Sequence, residues 1–128
     1  MTKMKKLLLF IIITLTTLTT SVFAQTTFTS TSDLQTAVDL WVSDQSAATT
    51  AHGDINTWNV SLITDMSDLF KDKTTFNSDI SSWNVSSVTG MSYMFSGASN
   101  FNQNISNWNV SSVMTYMSGM FYSATSFN

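Results

Sequence analysis

Residues 80–104 read ISSWNVSSVTGMSYMFSGASNFNQN, and the same pattern stands before and after this stretch. Tryptophan recurs every 25 residues, as Trp58, Trp83 and Trp108, and each tryptophan is followed by Asn-Val-Ser. One extra residue enters the last copy, within residues 114–116. Because fixed-period self-similarity is typical of repeat proteins, we divide this part of the chain into three repeats. They cover residues 55–79, 80–104 and 105–128.

Two hydrophobic spacings alternate within each repeat. The I-x-x-W-x-V-x-x-V pattern that begins at Ile80 has the spacing of a leucine-rich repeat, and its W-x-V step has the period of a strand. The M-x-x-M-F pattern that begins at Met91 has the spacing of one face of a helical turn. The sequence therefore predicts an α/β repeat fold, a leucine-rich-repeat-like solenoid with one short parallel strand and one short helix in each 25-residue unit.

The N-terminal segment has the form of a secretory signal peptide over residues 1–24. Three lysines precede an apolar run at residues 7–15, and Val22-Phe23-Ala24 suits cleavage after Ala24. The alternative is an N-terminal membrane anchor, for which the apolar run is short. We therefore expect a secreted or cell-surface protein that meets the membrane only through this segment during export.

Residues 25–54 are expected to hold a loose leader and an N-terminal capping helix. Residues 33–44 place Leu34, Ala37, Val38 and Trp41 at helical spacing, and Ser32 with Gln35 forms a capping box. Repeat proteins commonly cover a terminal repeat in this way.

The composition excludes several classes of function. The chain has no Cys, no Arg and one His, and residues 80–128 carry no charged side chain. We therefore expect no cofactor, no nucleic acid partner and no enzyme activity, since His52 beside Asp54 lacks a nucleophile motif. Asp65, Asp68 and Asp72 lack the spacing of a calcium loop, so we expect no metal site and a solvated acidic face.

The string WNVSSVTGMSYMF, followed by Phe-Asn and Ile-Ser-x-Trp, resembles the BspA-like leucine-rich-repeat surface proteins. Similar repeats occur in surface lipoproteins of wall-less bacteria. The resemblance extends from about residue 33 to residue 128. It implies a secreted or surface-displayed protein with adhesive or host-contact roles and no catalysis.

The side chains between the inward-facing positions form a candidate binding face, which is flat, uncharged and rich in hydrogen-bonding groups. Its residues are Thr57, Asn59, Ser61, Ser82, Asn84, Ser86, Asn107, Asn109 and Ser111. The alternative is that Asn and Ser only keep the surface soluble. Each Asn-Val-Ser also matches the N-glycosylation sequon. We assign the repeated tryptophans to the core rather than to a sugar-stacking platform.

Two functions follow as expectations. The first is a non-catalytic binding or adhesion module for an extracellular protein or glycan. The second is a truncated or self-assembling structural fragment of a longer surface repeat protein, which associates through an uncapped C-terminal edge. Asn77, Asn102 and Asn128 each follow a Phe and are expected to bond backbone groups of turns.

Overall fold

The computed structural model describes residues 24–114 and 116–128. Its first element is the α-helix α1, Thr31–Ser43, which buries Leu34, Ala37, Val38 and Trp41 as its pattern predicts. The Ser30 side chain, and not that of Ser32, accepts the hydrogen bond from the Asp33 N–H. The predicted signal peptide lies outside the described residues, apart from Ala24.

A second helix follows without a loop. Helix α2, Gln45–His52, begins after Asp44, whose side chain accepts a hydrogen bond from the Ala47 N–H. The helix ends at Gly53, whose φ of 77° is in the left-handed region that favours glycine. Our sequence interpretation missed α2, because only Ala48 of its residues is buried and the segment has no apolar stripe.

The predicted α/β fold is wrong. Within the described residues, the repeats contain no β-strand and no α-helix, and the one short helical element is a 3-10 helix at Ile55–Thr57. The three repeats are built from turns, joined by isolated parallel bridges between Asp65 and Gly90 and between Gly90 and Tyr116. The chain is therefore not a leucine-rich-repeat-like solenoid with a strand and a helix in each unit.

The hydrogen bonds explain why the turns replace both predicted elements. The N–H groups of Met66, Asp68, Phe70 and Asp72 donate to carbonyl oxygens about one repeat later, at 2.8–3.0 Å. The N–H groups between them close turns instead, as Leu69 does to the carbonyl oxygen of Met66. Because alternate N–H groups point to different partners, neither a strand ladder nor an α-helix forms.

The left-handed residues of these turns recur at equivalent positions of the three repeats. Positive φ values are found at Asp68, Tyr93 and Gly119, and again at Asp72, Gly97 and Ser123. In the first two repeats the M-x-x-M-F spacing therefore buries its side chains through a repeated turn rather than a helical turn, whereas Met117 of the third repeat is exposed.

The core is a continuous set of stacked side chains. The three repeated tryptophans are buried, which confirms their assignment to the core. The rings of Phe70, Phe95 and Phe121 stack with centroids 5.2 and 5.5 Å apart and nearly parallel planes. A second stack lies beside the first, and its members are Phe76, Phe101 and Phe127. Equivalent residues of adjacent repeats thus pack on each other, as the 25-residue register requires.

Helix α1 covers the first repeat. Thr31 Oγ1 donates to the carbonyl oxygen of Asp65 at 2.8 Å, and Gln35 Nε2 donates to that of Leu69 at 3.1 Å. These carbonyls are equivalent to those of Gly90 and Met94, which accept N–H groups of the first repeat. The helix side chains therefore take the place of a preceding repeat.

Candidate functional site

The leader that we expected to be loose lies on the predicted binding face. Thr27 forms a parallel bridge with Asn59, and the Asn59 N–H donates to the carbonyl oxygen of Thr26 at 2.8 Å. Asn59 Nδ2 also donates to Thr27 Oγ1 at 3.3 Å, and Phe28 is buried. The first repeat's part of the face is therefore partly covered by residues of the same chain.

The Asn-Val-Ser triplets form one local turn in all three repeats. The Asn84 side-chain oxygen accepts hydrogen bonds from the N–H and the hydroxyl of Ser86 at 3.1 and 2.7 Å. Asn59 and Asn109 accept the same N–H bond from the serine two residues on. Because the amide oxygen is used internally, these asparagines have a structural role in addition to any role in binding.

Exposure increases along the face from the first repeat to the third. Asn59 and Ser61 are half-buried, whereas Asn84, Asn109 and Ser111 are exposed. Ser86 is half-buried, and the three members outside the triplets are exposed: Thr57, Ser82 and Asn107. The Ser82 hydroxyl is bonded to Asn56.

The three acidic residues that the sequence places close together each have a different neighbour in the structure. Asp65 accepts a hydrogen bond from the Ser67 N–H at 2.8 Å, and Asp68 pairs with Lys71 at 3.2 Å. Asp72 has a φ of 58° and lies over Gly97 of the next repeat. Among residues 24–114 and 116–128, no three acidic or His side chains gather in a group that could hold a metal ion.

His52 lies at the junction between α2 and the first repeat. Its ring lies 5.6 Å from that of Phe28 and 5.7 Å from that of Trp58, measured between centroids. This aromatic cluster fixes the helix end against the core. The placement agrees with a structural role for His52 at the junction.

The asparagines that follow phenylalanine link adjacent repeats. The Asn77 side-chain oxygen accepts the Asn102 N–H at 2.8 Å, and that of Asn102 accepts the Asn128 N–H at 3.2 Å. Gln103 Nε2 adds a bond of 2.8 Å to the carbonyl oxygen of Asn77. The prediction that these asparagine side chains bond backbone groups is confirmed for Asn77 and Asn102, with the addition that the bonds run between repeats.

One exposed carboxylate has a lowered pKa. Asp79 accepts the Ser81 N–H at 2.9 Å, and these hydrogen bonds hold its pKa below the ordinary value of 3.8. Asn56 Nδ2 donates to the other oxygen at 3.1 Å. Asp79 therefore stabilises the start of the second repeat, and it lies outside the Asn and Ser positions of the predicted binding face.

The comparisons with known proteins give one family. Residues 22–128 match the family model described as "Mycoplasma protein of unknown function, DUF285". The match supports the resemblance to surface repeat proteins of wall-less bacteria, but it does not support the BspA-like leucine-rich-repeat assignment. Searches of curated proteins and of solved structures returned no match. No helix in the described part of the chain has the length and apolar character to cross a membrane.

Proposed function

This chain belongs to the DUF285 family of Mycoplasma proteins, and from that premise we propose that it is a secreted or cell-surface binding module without catalytic activity. The observation that carries the proposal is the uncharged polar surface that recurs in register on a rigid stack. Asn84 and Asn109 are exposed at equivalent positions, each held in the same side-chain turn. Binding residues placed by a rigid scaffold lose little conformational freedom when a partner docks.

The chemistry of this surface favours a partner with many hydrogen-bonding groups. Residues 80–128 supply amides and hydroxyls but no charge, so long-range attraction between charges contributes little there. We therefore expect an extracellular glycan or a polar protein surface as the partner. The same segment has no His, Asp, Glu or Lys to act as an acid or a base beside its hydroxyls, which supports a function without catalysis.

The test uses the labelled chain against a glycan array and a panel of extracellular-matrix proteins. Asn107→Arg is the informative variant, because Asn107 is exposed and its side chain makes no hydrogen bond within the described residues. Thr74→Arg is the matched control, an exposed position in another turn of the repeat. We expect a wild-type signal that Asn107→Arg lowers about tenfold and Thr74→Arg leaves unchanged. Equal binding by wild type, Asn107→Arg and Thr74→Arg would show that this face does not bind the partner.

A second candidate function is self-assembly, and the distribution of exposed apolar side chains favours it. The third repeat exposes Val110, Met114, Tyr116, Met117 and Tyr122, with Met114 at 86%. Exposed apolar patches often mark association surfaces. Sedimentation velocity over a range of concentrations tests this function. A mass that increases with concentration, and that Met114→Lys returns to the monomer value, would support assembly, whereas a constant monomer mass would contradict it.

A further inference from the structure

A shallow groove lies over Gly90, on the side of the stack where the isolated bridges join the repeats. Gly90 is bridged to Asp65 of the first repeat and to Tyr116 of the third. Of these three equivalent positions, only Gly90 lacks a side chain. The result is an open groove of about 270 Å³ between a carboxylate and a phenol ring.

The Asp65 carboxylate leaves no room for a side chain at position 90, which forms the floor of the groove. A β-carbon built on Gly90 would lie 2.8 Å from Asp65 Oδ1. That oxygen is fixed because it accepts the Ser67 N–H at 2.8 Å. Any larger residue at position 90 would therefore displace the carboxylate and fill the groove.

Polar groups around the groove are available to a ligand. Among the residues that the structure describes, Asp65 Oδ2 and the hydroxyls of Ser67, Ser92 and Tyr116 have no hydrogen-bond partner. Tyr116 is 64% exposed, so its ring presents an uncovered face to solvent. The groove thus combines a negative acceptor, three hydroxyl groups and an aromatic surface.

We infer that this groove binds one neutral sugar ring, and that the sugar stands at the end of a glycan. Sugar hydroxyls both donate and accept, which matches a carboxylate oxygen surrounded by serine and tyrosine hydroxyls. The apolar C–H face of a sugar ring packs on an aromatic ring such as that of Tyr116. The volume is below the roughly 300–1,000 Å³ of sites for drug-sized ligands, so a single ring is the matching size.

This inference rests on the proposed binding function, but it uses different residues from the Asn and Ser face. A glycan could reach the groove because the groove is open to solvent along one side. Within residues 24–114 and 116–128 the groove's single carboxylate has no partner cation, so a small amine is the competing ligand. The experiment therefore includes an amine as a probe.

In the experiment, the full chain is titrated with the methyl glycosides of glucose, galactose and mannose, and saturation-transfer NMR detects binding. The expected dissociation constant is on the order of 1 mM for a single ring. Tyr116→Ala should weaken binding about tenfold, and Tyr116→Phe, which keeps the ring, should change it little. Tyr122→Ala is the matched control, because Tyr122 is 70% exposed and lies outside the groove.

Asp65→Asn tests the carboxylate without breaking its turn, since the amide oxygen still accepts the Ser67 N–H. We expect weaker sugar binding with an unchanged circular-dichroism spectrum. Binding of the free reducing sugars but not of the methyl glycosides would overturn the glycan-end assignment. The assignment of the groove as a sugar site would be overturned if ethanolamine bound and no sugar did. It would also be overturned if Tyr116→Ala and Tyr122→Ala lost sugar affinity equally.

The outcomes separate this inference from the proposed function. Array binding that is sensitive to Asn107→Arg and insensitive to Tyr116→Ala would keep the binding module and reject the groove. Sugar binding that is sensitive to Tyr116→Ala would support the groove whatever the result at Asn107. A chain that binds no array component and no glycoside would contradict both.

Discussion

Trp83 donates a hydrogen bond from its indole Nε1 to the carbonyl oxygen of Ile55 at 2.8 Å, across the boundary between two repeats. Trp108 makes the same bond to Ile80 at 3.2 Å, and both contacts are buried. The tryptophan therefore contributes more than apolar area. It gives a carbonyl of the preceding repeat a second donor, beside the backbone N–H of that repeat's own tryptophan, and this bond fixes the register between neighbouring units.

Replacing Trp83 with Phe should lower the free energy of unfolding by about 0.5–1.5 kcal/mol, because the buried Ile55 carbonyl would lose the indole donor and keep only the Trp58 N–H. Chemical denaturation measures the change. Trp108→Phe is the comparison, and it should cost less because Trp108 is 8% exposed against 3% for Trp83. An unchanged free energy of unfolding in both variants would contradict the role of the buried hydrogen bond.

Truncating the central ring of the first phenylalanine stack should cost about 3–5 kcal/mol. Phe95 is fully buried and stacks on Phe70, Phe121 and Phe101. Phe95→Ala would leave a cavity between two repeats, whereas Phe121→Ala would remove a ring that is only half-buried. In denaturation curves, the free energy of unfolding of Phe95→Ala should be well below that of Phe121→Ala. The reverse order would contradict the stacked core.

Gly119→Ala should destabilise the chain more than Gly53→Ala does. Both glycines have positive φ, 62° and 77°, so both substitutions carry the left-handed cost of about 1–2 kcal/mol. At Gly119 the new β-carbon would also lie 2.4 Å from Tyr93 Cε1, but at Gly53 its nearest neighbour is 3.6 Å away.

A double-mutant cycle isolates the steric part of this difference. In a Tyr93→Ala background the ring is absent, so Gly119→Ala should cost about as much as Gly53→Ala. If the excess cost persists without the ring, the close approach of Tyr93 is not its cause.

Acid should remove the contribution of Asp79 to stability. Its folded pKa is lowered below 3.8 by the hydrogen bonds from Ser81, so the unfolded chain takes up the proton more readily. The contribution is therefore present above the ordinary pKa and is lost as the pH falls through the folded one. Asp79→Asn keeps the acceptor oxygen but not the charge. In denaturation curves at several pH values, the stability difference between wild type and this variant should stay constant above the ordinary pKa of 3.8 and shrink as the pH falls below it.

The register of the repeats and most of the core could be predicted from sequence. Trp, Val, Met and Phe at 25-residue spacing identify the buried positions, and the structure buries Trp58, Val60, Met66 and Phe70 as that spacing requires. This part succeeds because burial depends on which side chains are apolar, and the repetition marks those side chains three times.

The secondary structure could not be predicted in the same way. The W-x-V step and the M-x-x-M-F step have strand and helix spacing, yet the N–H of Phe70 bonds to Met94 and that of Leu69 bonds to Met66. The side-chain spacing alone does not show where a backbone N–H finds its acceptor. When the acceptor lies about one repeat away, turns can bury the same side chains as strands and helices do.

The Asn and Ser face was only partly predictable. Asn84, Asn109 and Ser111 are exposed as predicted, whereas Asn59 and Ser61 are half-buried where the leader reaches them. The sequence did not predict this contact, because residues 25–28 have no alternating strand pattern that would indicate pairing with Asn59. The groove at Gly90 was missed for a related reason. It depends on three equivalent positions that differ in size, Asp65, Gly90 and Tyr116, and only the bridges place them side by side.

The hydrogen bonds between repeats have a consequence for how such a gene can change. Phe70 donates to the carbonyl oxygen of Met94, and Phe95 donates to that of Met120, so each unit meets its successor through the same set of groups. A duplicated copy of residues 80–104, inserted in frame after residue 104, could accept backbone hydrogen bonds from the N–H groups of the repeat before it. It could also donate its own N–H groups to the carbonyl oxygens of the repeat after it. Length variation by recombination between repeats is therefore compatible with folding, and the polar residues of the face could diverge from copy to copy while the stack is kept.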